Sequence, residues 1–240
     1  MLCVLIYIIV GFVAGRVRDA SERLPRHTLD GGKSTKKRCR GNKDNLKKEY
    51  FCAILRNSLK NTEMFYVSDK MTTPPAVFAT PLQEKVYKLF EELSVPFERV
   101  DTDPGITMED CLNIDKRLGG KVVKSIFLCN RQQTLFYLYV TSGDKPFVTK
   151  DFGHALSIPR VSFAPADKLL EIAGTEHGAT TVLSACLESA RDVTFVMDRD
   201  ITENECYCCS DGTVNCFIKI RTADLLERFL PACGHELVVI

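Results

Sequence analysis

The fold is decided by Lys121–Val140, which reads KVVKSIFLCNRQQTLFYLYV. Two runs rich in β-branched and aromatic residues, Val122–Cys129 and Thr134–Val140, flank the polar residues 130–133. Two such runs with a short polar turn between them predict a β-hairpin. Because both runs are largely apolar, we expect the hairpin to present a mostly buried surface.

A single charge, Lys124, interrupts the first predicted strand. Its aliphatic stem could pass a sheet edge and leave the ammonium in water. Alternatively, the cation could point into a pocket and meet a phosphate or a polarised carbonyl group. The strand by itself leaves both interpretations open.

The chain divides into two chemically different parts. Residues 1–70 carry 15 Lys and Arg against 7 Asp and Glu, whereas residues 71–240 carry 17 against 24. The first part also lacks the apolar periodicity of a packed core. We therefore predict a basic, mostly disordered extension over residues 1–75 and one folded domain over residues 76–240.

An uncharged apolar run, Leu2–Ala14, begins the chain. It is shorter than the roughly 20 residues that span a bilayer, and it lacks the basic flank of a secretory signal. The segment could be a targeting leader, a membrane anchor, or upstream sequence translated ahead of a start at Met71. We expect a cytoplasmic protein, or an organellar one if the leader is genuine, and no stable membrane association of the folded domain.

The sequence has eleven cysteines. A chain of this length can bury a core without disulfides, so the thiols indicate a reducing compartment. Cys206, Cys208, Cys209 and Cys216 lie close together, but C-x-C-C is not a common zinc-site spacing. We predict no metal and no cofactor, and an irregular loop over residues 202–215.

The folded part mixes helix and strand signals without a regular βαβ order. Thr80 and Pro81 are suited to cap and open a helix whose apolar residues recur at helical spacing through Leu93. Further strands are predicted at Phe97–Val100, Val193–Met197 and Cys216–Ile220. This order predicts an α+β domain with one mixed, curved sheet flanked by helices.

Several segments in order resemble the YbaK/prolyl-tRNA-synthetase-associated domain family over residues 76–240. They read LSVPFERVDTD, KVVKSIFL, RVSFAPADKLLEIAGTEHGATTVLSA, VTFVMDRDI and TADLLERFLPACGHELVVI. Free-standing members of the ProX type deacylate alanine mischarged onto proline tRNA. The resemblance implies a trans-editing hydrolase that supports translational fidelity. Its implied partners are the tRNA acceptor end and a prolyl-tRNA synthetase or synthetase complex.

The resemblance also implies a site. The family's K-N-L-F-L strand corresponds to KSIFL, so Lys124 is retained and Ser125 replaces asparagine. The family's Gly-x-x-x-Pro loop corresponds to residues 178–182, with Gly178 retained and Val182 in place of proline. The family's histidine in a His-Pro loop falls on Cys208.

From this correspondence we predict a catalytic group of Lys124, Gly178, Ala179 and Thr180. Backbone N–H groups of the loop would stabilise an oxyanion, and the lysine would bind a phosphate or a carbonyl oxygen. The predicted substrate-binding residues are Ser125, Thr181, Val182, Cys208 and His177. His177 could alternatively assist as a general base.

Two other functions stay open. The replacements at Ser125, Val182 and Cys208 favour a catalytically impaired relative that serves as a tRNA- or synthetase-binding module. Because the same replacements bear on the shape of the pocket, the edited amino acid could also be a small one other than alanine.

Overall fold

The computed structural model describes residues 65–104 and 108–240 of the chain. The apolar run Leu2–Ala14 and the basic clusters of the predicted extension lie outside the described residues. No helix in the described ranges is long and apolar enough to cross a membrane.

The helices surround the β-structure. They are α1 Pro81–Glu92, α2 Met108–Leu118, α3 Thr149–Ala155, α4 Ala166–Lys168 continuing as a π-helical turn Leu169–Ala173, α5 Arg199–Thr202, and α6 Thr222–Asp224 continuing through Leu225–Phe229 to Leu230–Ala232. Two 3₁₀ turns, Val182–Cys186 and Glu188–Ala190, follow α4. The predicted start of α1 is confirmed, because the Thr80 side chain accepts a hydrogen bond from the Gln83 N–H and Pro81 opens the helix.

The strands form two ladders. They are β1 Glu98–Asp101, β2 Val123–Cys129, β3 Phe136–Ser142, β4 Ser162–Phe163, β5 Val193–Met197, β6 Cys206–Ser210, β7 Cys216–Arg221 and β8 Leu237–Val239. One sheet has the order β1-β7-β6 and the other the order β4-β2-β3-β5-β8. A parallel bridge between Val122 and Cys208 joins them. The α+β class is confirmed, with its β-structure divided between an antiparallel and a mixed ladder.

The predicted hairpin is β2–β3, and it forms the centre of the five-stranded sheet. Lys124 pairs with Thr141, and Cys129 pairs with Phe136 near the turn. On its other side β3 runs parallel to β5, which ends at Met197 beside Val140. Because of this order, side chains from β2, β3 and the end of β5 lie next to one another.

The prediction of an irregular loop over residues 202–215 is wrong for Thr202, which ends α5, and for residues 206–210. Residues Cys206–Ser210 form β6, which pairs with β7 through five residue pairs and is buried from Tyr207 onward. Cysteine is a small apolar residue that fits a buried strand. The irregular parts are thus residues 203–205 and the β6–β7 turn, residues 211–215.

The folded domain also begins earlier than the predicted residue 76. Val67 bridges to Thr102 and Met71 bridges to Arg99, so this segment lies beside β1. The Ser68 hydroxyl accepts a hydrogen bond from the Asp101 N–H. Residues 67–71 therefore belong to the described domain rather than to an extension.

The core is divided by the five-stranded sheet. Phe127, Leu138 and Val140 face a large cluster that α1 and α6 complete. Ile126 and Leu128, which alternate with Phe127 along β2, face a second cluster beneath α3. A third, smaller cluster lies between α2 and the three-stranded sheet. Side chains of β2 therefore point alternately to two different surroundings.

Candidate functional site

The loop before the first 3₁₀ turn offers unpaired backbone donors. Gly178 is exposed and has φ +92°, a conformation that glycine adopts without strain. The Ala179 N–H donates to the Glu176 carbonyl at 3.1 Å. In the described part of the chain, the N–H groups of Gly178, Thr180 and Thr181 have no protein acceptor. Such donors can bind an oxyanion or a carboxylate.

The C-terminal end of this loop is anchored in the core. Thr181 and Val182 are fully buried. The Thr181 hydroxyl donates to the Cys209 sulfur at 3.5 Å and accepts from the Leu183 N–H at 3.4 Å. The Ser184 hydroxyl donates to the Ala173 carbonyl at 2.6 Å, which joins the 3₁₀ turn to α4. An exposed glycine on a buried anchor makes a loop with a fixed backbone.

Strand β6 connects the loop to Ser125. Cys209 contacts Thr181. Tyr207 is two residues earlier on the same face of β6, and it lies beside the Ser125 hydroxyl. Burial raises the pKa of Tyr207, and the Ser125 hydroxyl opposes that rise. A Cβ on Gly178 would lie 3.9 Å from Val214 of the β6–β7 turn. The structure thus brings the Gly178 loop, β6 and Ser125 together.

Lys124 points to a different neighbourhood. Its ammonium donates to the Lys145 carbonyl at 2.5 Å and to the Gly143 carbonyl at 3.4 Å, in the turn after β3. Burial lowers the pKa of Lys124, and the nearby Asp144 carboxylate opposes that shift. Because Lys124 and Ser125 are consecutive in a strand, their side chains leave opposite faces of the sheet. The hydrogen bonds of Lys124 go to the turn after β3 rather than to the Gly178 loop.

Cys208 does not line this loop. Its side chain has no exposed surface and packs with Ile114 and Leu118 in the cluster beneath α2. A Cβ on Gly120 would come within 2.7 Å of its sulfur. Burial raises the pKa of the Cys208 thiol to about 12, so it is protonated at neutral pH. We therefore assign Cys208 to packing, and the position of β6 that reaches the loop is Cys209.

The remaining predicted residues differ in access. His177 and Gly178 are exposed, Thr180 is half-buried, and Ala179 is buried. A ligand at the loop would thus meet the imidazole and the glycine backbone first. No group of three or more His, Cys, Asp or Glu side chains in the described ranges is arranged to hold a metal ion.

Two features of the structure, one near Lys124 and one on α3, were not predicted from the sequence. Asp198, directly after β5, is buried and accepts hydrogen bonds from Tyr139, Thr141 and Lys145. A cleft of about 390 Å³ on α3 is lined by Thr149, Lys150, Gly153, His154, Ile158 and Arg160. The carboxylate at the end of a strand was visible in the sequence, but its three donors come from another strand and a turn.

Residues 102–227 match the aminoacyl-tRNA editing domain family, and the chain belongs to this family. It is 27% identical over 167 residues to the prolyl-tRNA synthetase associated domain-containing protein 1 of Danio rerio, covering 69% of this chain and 90% of that protein. It is 22% identical over 158 residues to the prolyl-tRNA editing protein ProX of Acetoanaerobium sticklandii, covering 66% of this chain and 96% of that protein.

The fold also resembles a solved structure. The crystal structure of hypothetical protein APE2540 superposes with a TM-score of 0.50 at 18% identity, covering 65% of this chain and 97% of that one. At this identity the likeness concerns the fold alone.

Proposed function

We propose that this protein is a trans-editing hydrolase that deacylates mischarged aminoacyl-tRNA, with Ala-tRNA(Pro) as its substrate. Family membership supports deacylation, and the names of the two relatives point to proline tRNA. The observation that carries the proposal is the Gly178 loop, in which the exposed Gly178 and the half-buried Thr180 offer N–H groups without an acceptor in the described part of the chain.

Hydrolysis of the aminoacyl ester requires little from catalytic side chains. Water attacks the ester carbonyl carbon, the carbonyl oxygen becomes an oxyanion, and the bond to the ribose oxygen breaks as that oxygen takes up a proton. Fixed N–H donors stabilise the oxyanion without reorganising. The Gly178 backbone supplies such donors, and Thr181 holds them in place through Cys209.

Lys124 has the role of an anchor in this proposal. A lysine ammonium has three N–H donors, and two of them go to the Lys145 and Gly143 carbonyls. Because Lys124 leaves the sheet on the face opposite to the Gly178 loop, the third is available to the terminal phosphate of a substrate rather than to its ester carbonyl. Its partial burial strengthens that interaction, because solvent screens it less.

Selection of the amino acid falls to the surroundings of the loop. A small apolar pocket excludes bulky side chains, but each methylene contributes only about 1–3 kcal/mol to discrimination. Ser125, Val182 and the half-buried Thr180 are the proposed lining. His177 is exposed beside the loop, where it can hold the ribose or the attacking water.

The test is hydrolysis of Ala-tRNA(Pro) by the full chain and by Lys124→Ala. We expect the wild type to release alanine and the variant to lose about 100-fold in kcat/KM, the usual size of a lost stabilising donor. Lys121→Ala is the matched control, because Lys121 is three residues away and its side chain is 82% exposed. It should hydrolyse like the wild type.

One result would contradict the enzyme, and another would contradict only its substrate. No hydrolysis by the wild type, with tRNA or a synthetase still bound, would instead support the binding module. Hydrolysis of Ser-tRNA or Gly-tRNA in preference to Ala-tRNA(Pro) would keep the deacylase and replace its substrate. We propose the cytoplasm as the site of the reaction, or an organelle if residues 1–70 are a leader.

A further inference from the structure

A buried carboxylate lies at the end of β5, on the side of the sheet to which Lys124 points. Asp198 is 3% exposed. Its Oδ1 accepts from the Tyr139 hydroxyl at 2.5 Å, and its Oδ2 accepts from the Thr141 hydroxyl at 2.5 Å. Its own N–H donates to the Val140 carbonyl at 3.0 Å, which fixes the aspartate to β3.

The third donor to Asp198 is a lysine of the turn after β3. The Lys145 ammonium lies 2.6 Å from Oδ2. Burial opposes ionisation of Asp198, but the three donors outweigh it, so its pKa lies below the usual range. The carboxylate is therefore charged at neutral pH and attracts the Lys145 ammonium.

The same lysine contacts Lys124 through its backbone. While its side chain reaches Asp198, the Lys145 carbonyl accepts from the Lys124 ammonium at 2.5 Å. Thr141, which also donates to Asp198, pairs with Lys124 across the β2–β3 ladder. Residues paired in this way share a face of the sheet, so Lys124, Thr141 and Asp198 lie on one side.

The turn after β3, residues 143–145, has few other polar contacts. The Lys145 N–H donates to the carbonyl of Ser142 at the end of β3, and the Ser142 hydroxyl donates to the Asp144 carboxylate. In the described chain its polar contacts to other segments are those of Lys124 and Asp198, and an ion pair of Asp144 with Lys121 at 3.9 Å. The position of the two carbonyls that hold Lys124 thus depends on the Lys145–Asp198 pair.

We infer that Asp198 is a positioning residue for Lys124: its carboxylate fixes the Lys145 side chain, and the Lys145 backbone carbonyl in turn fixes the Lys124 ammonium. The inference rests on the proposed function for its catalytic consequence, but the alignment of Lys124 can be measured without catalysis. A small misplacement of an anchoring group costs activity steeply.

The experiment combines a titration with kinetics on the full chain. Lysines are labelled at Cε, and the pKa of Lys124 is followed by NMR in the wild type and in Asp198→Asn. We expect the pKa of Lys124, which burial lowers, to move toward the ordinary lysine value when the turn loosens. The other charges near Lys124, Asp144 and Lys145, are the same in both proteins.

The kinetic arm asks whether Asp198 acts through Lys124. In the wild-type background, Asp198→Asn should lower kcat for Ala-tRNA(Pro) about tenfold. In a Lys124→Ala background, the same substitution should lower kcat by less than about twofold. A purely structural role would reduce both backgrounds equally. Asp224→Asn is the control, because Asp224 is a second buried carboxylate that accepts from Arg221 at the end of β7 and from Arg228 of α6. It should leave both readouts unchanged.

A second variant tests the inference if Asp198→Asn does not fold. Lys145→Met keeps the backbone carbonyl and removes the ion pair, and the Lys145 side chain is 47% exposed, so the fold should tolerate the change. It should reproduce the effects of Asp198→Asn. An unchanged Lys124 titration in both variants, or equal kinetic losses in both backgrounds, would overturn the inference. A shifted Lys124 titration in both variants, together with a wild type that hydrolyses no Ala-tRNA(Pro), would support positioning and reject the deacylase.

Discussion

The two hairpins of this protein, β2–β3 and β6–β7, differ in whether a distant element helps to hold their turns. In the first, the half-buried Asn130 amide oxygen accepts from the N–H groups of Thr134 and Leu135, and its nitrogen donates to the Thr134 hydroxyl. In the second, the fully buried Asp211 accepts from Gln83 and Tyr87 of α1. The first turn is closed by its neighbours in sequence. The second also has local bonds, because the Asp211 carboxylate accepts from the N–H and the hydroxyl of Thr213, but the same carboxylate is held in addition by a helix more than 120 residues away.

The difference shows how the site depends on the rest of the fold. A local turn can form before the domain is assembled, whereas buried donors and acceptors need their partners in place. The β6–β7 turn is the one next to Gly178, through Val214. We therefore expect α1, through Asp211, to influence the shape of the proposed oxyanion loop.

The largest effect should come from Asp211→Ala. It leaves the Gln83 amide and the Tyr87 hydroxyl without their acceptor in the core, so we expect the free energy of unfolding to fall by about 3 kcal/mol. Urea denaturation measures this. A loss no larger than that of Asn130→Ala would remove the contrast between the two hairpins.

Gly178→Ala should reduce activity more than stability. The position has φ +92° and space for a Cβ, so the cost is backbone strain of about 1 kcal/mol, relieved by rotating the loop. We expect kcat to fall about tenfold as the N–H groups turn away. Gly234→Ala is the control, since Gly234 has φ +76° with nothing within 4 Å, and activity there should be unchanged.

Asn130→Ala should have a smaller effect. The turn loses three hydrogen bonds that water can partly replace, so we expect unfolding free energy to fall by about 1 kcal/mol. Deacylation per folded molecule should stay at the wild-type level. A tenfold loss of activity would show that this turn, too, is coupled to the site.

Tyr207→Phe should have the smallest effect. The Tyr207 hydroxyl is buried beside the Ser125 hydroxyl, but no group of the described residues lies at full hydrogen-bonding geometry to it, so its removal should leave stability unchanged or raise it by up to about 1 kcal/mol. Tyr87→Phe is the matched control, because the Tyr87 hydroxyl donates to Asp211 at 3.1 Å. It should cost about 1–2 kcal/mol, measured by the same denaturation.

Local signals in the sequence were sufficient for several elements. Thr80 and Pro81 define the start of α1, and the strand at Val193–Met197 has the predicted bounds. The hairpin β2–β3 also follows from its composition and polar turn. Each of these depends on residues that lie close together in the chain, so the pattern carries the information.

Elements that depend on distant partners were not predictable in this way. Strand β6 looks irregular because cysteine has little strand preference, and it is a strand because β7 pairs with it and the core covers it. The helix α3 was missed because its short polar sequence carries no clear period.

The sequence by itself determined the α+β class, the central hairpin and, through its resemblance, the family and the candidate residues. The tertiary structure decided which of those residues share a neighbourhood: Gly178 with Cys209 and Ser125 on one side, Lys124 with Lys145 and Asp198 on the other, and Cys208 beneath α2. The physical reason is the two-residue period of a strand, which sends neighbouring side chains to opposite faces. What each face meets is set by packing that no local pattern encodes.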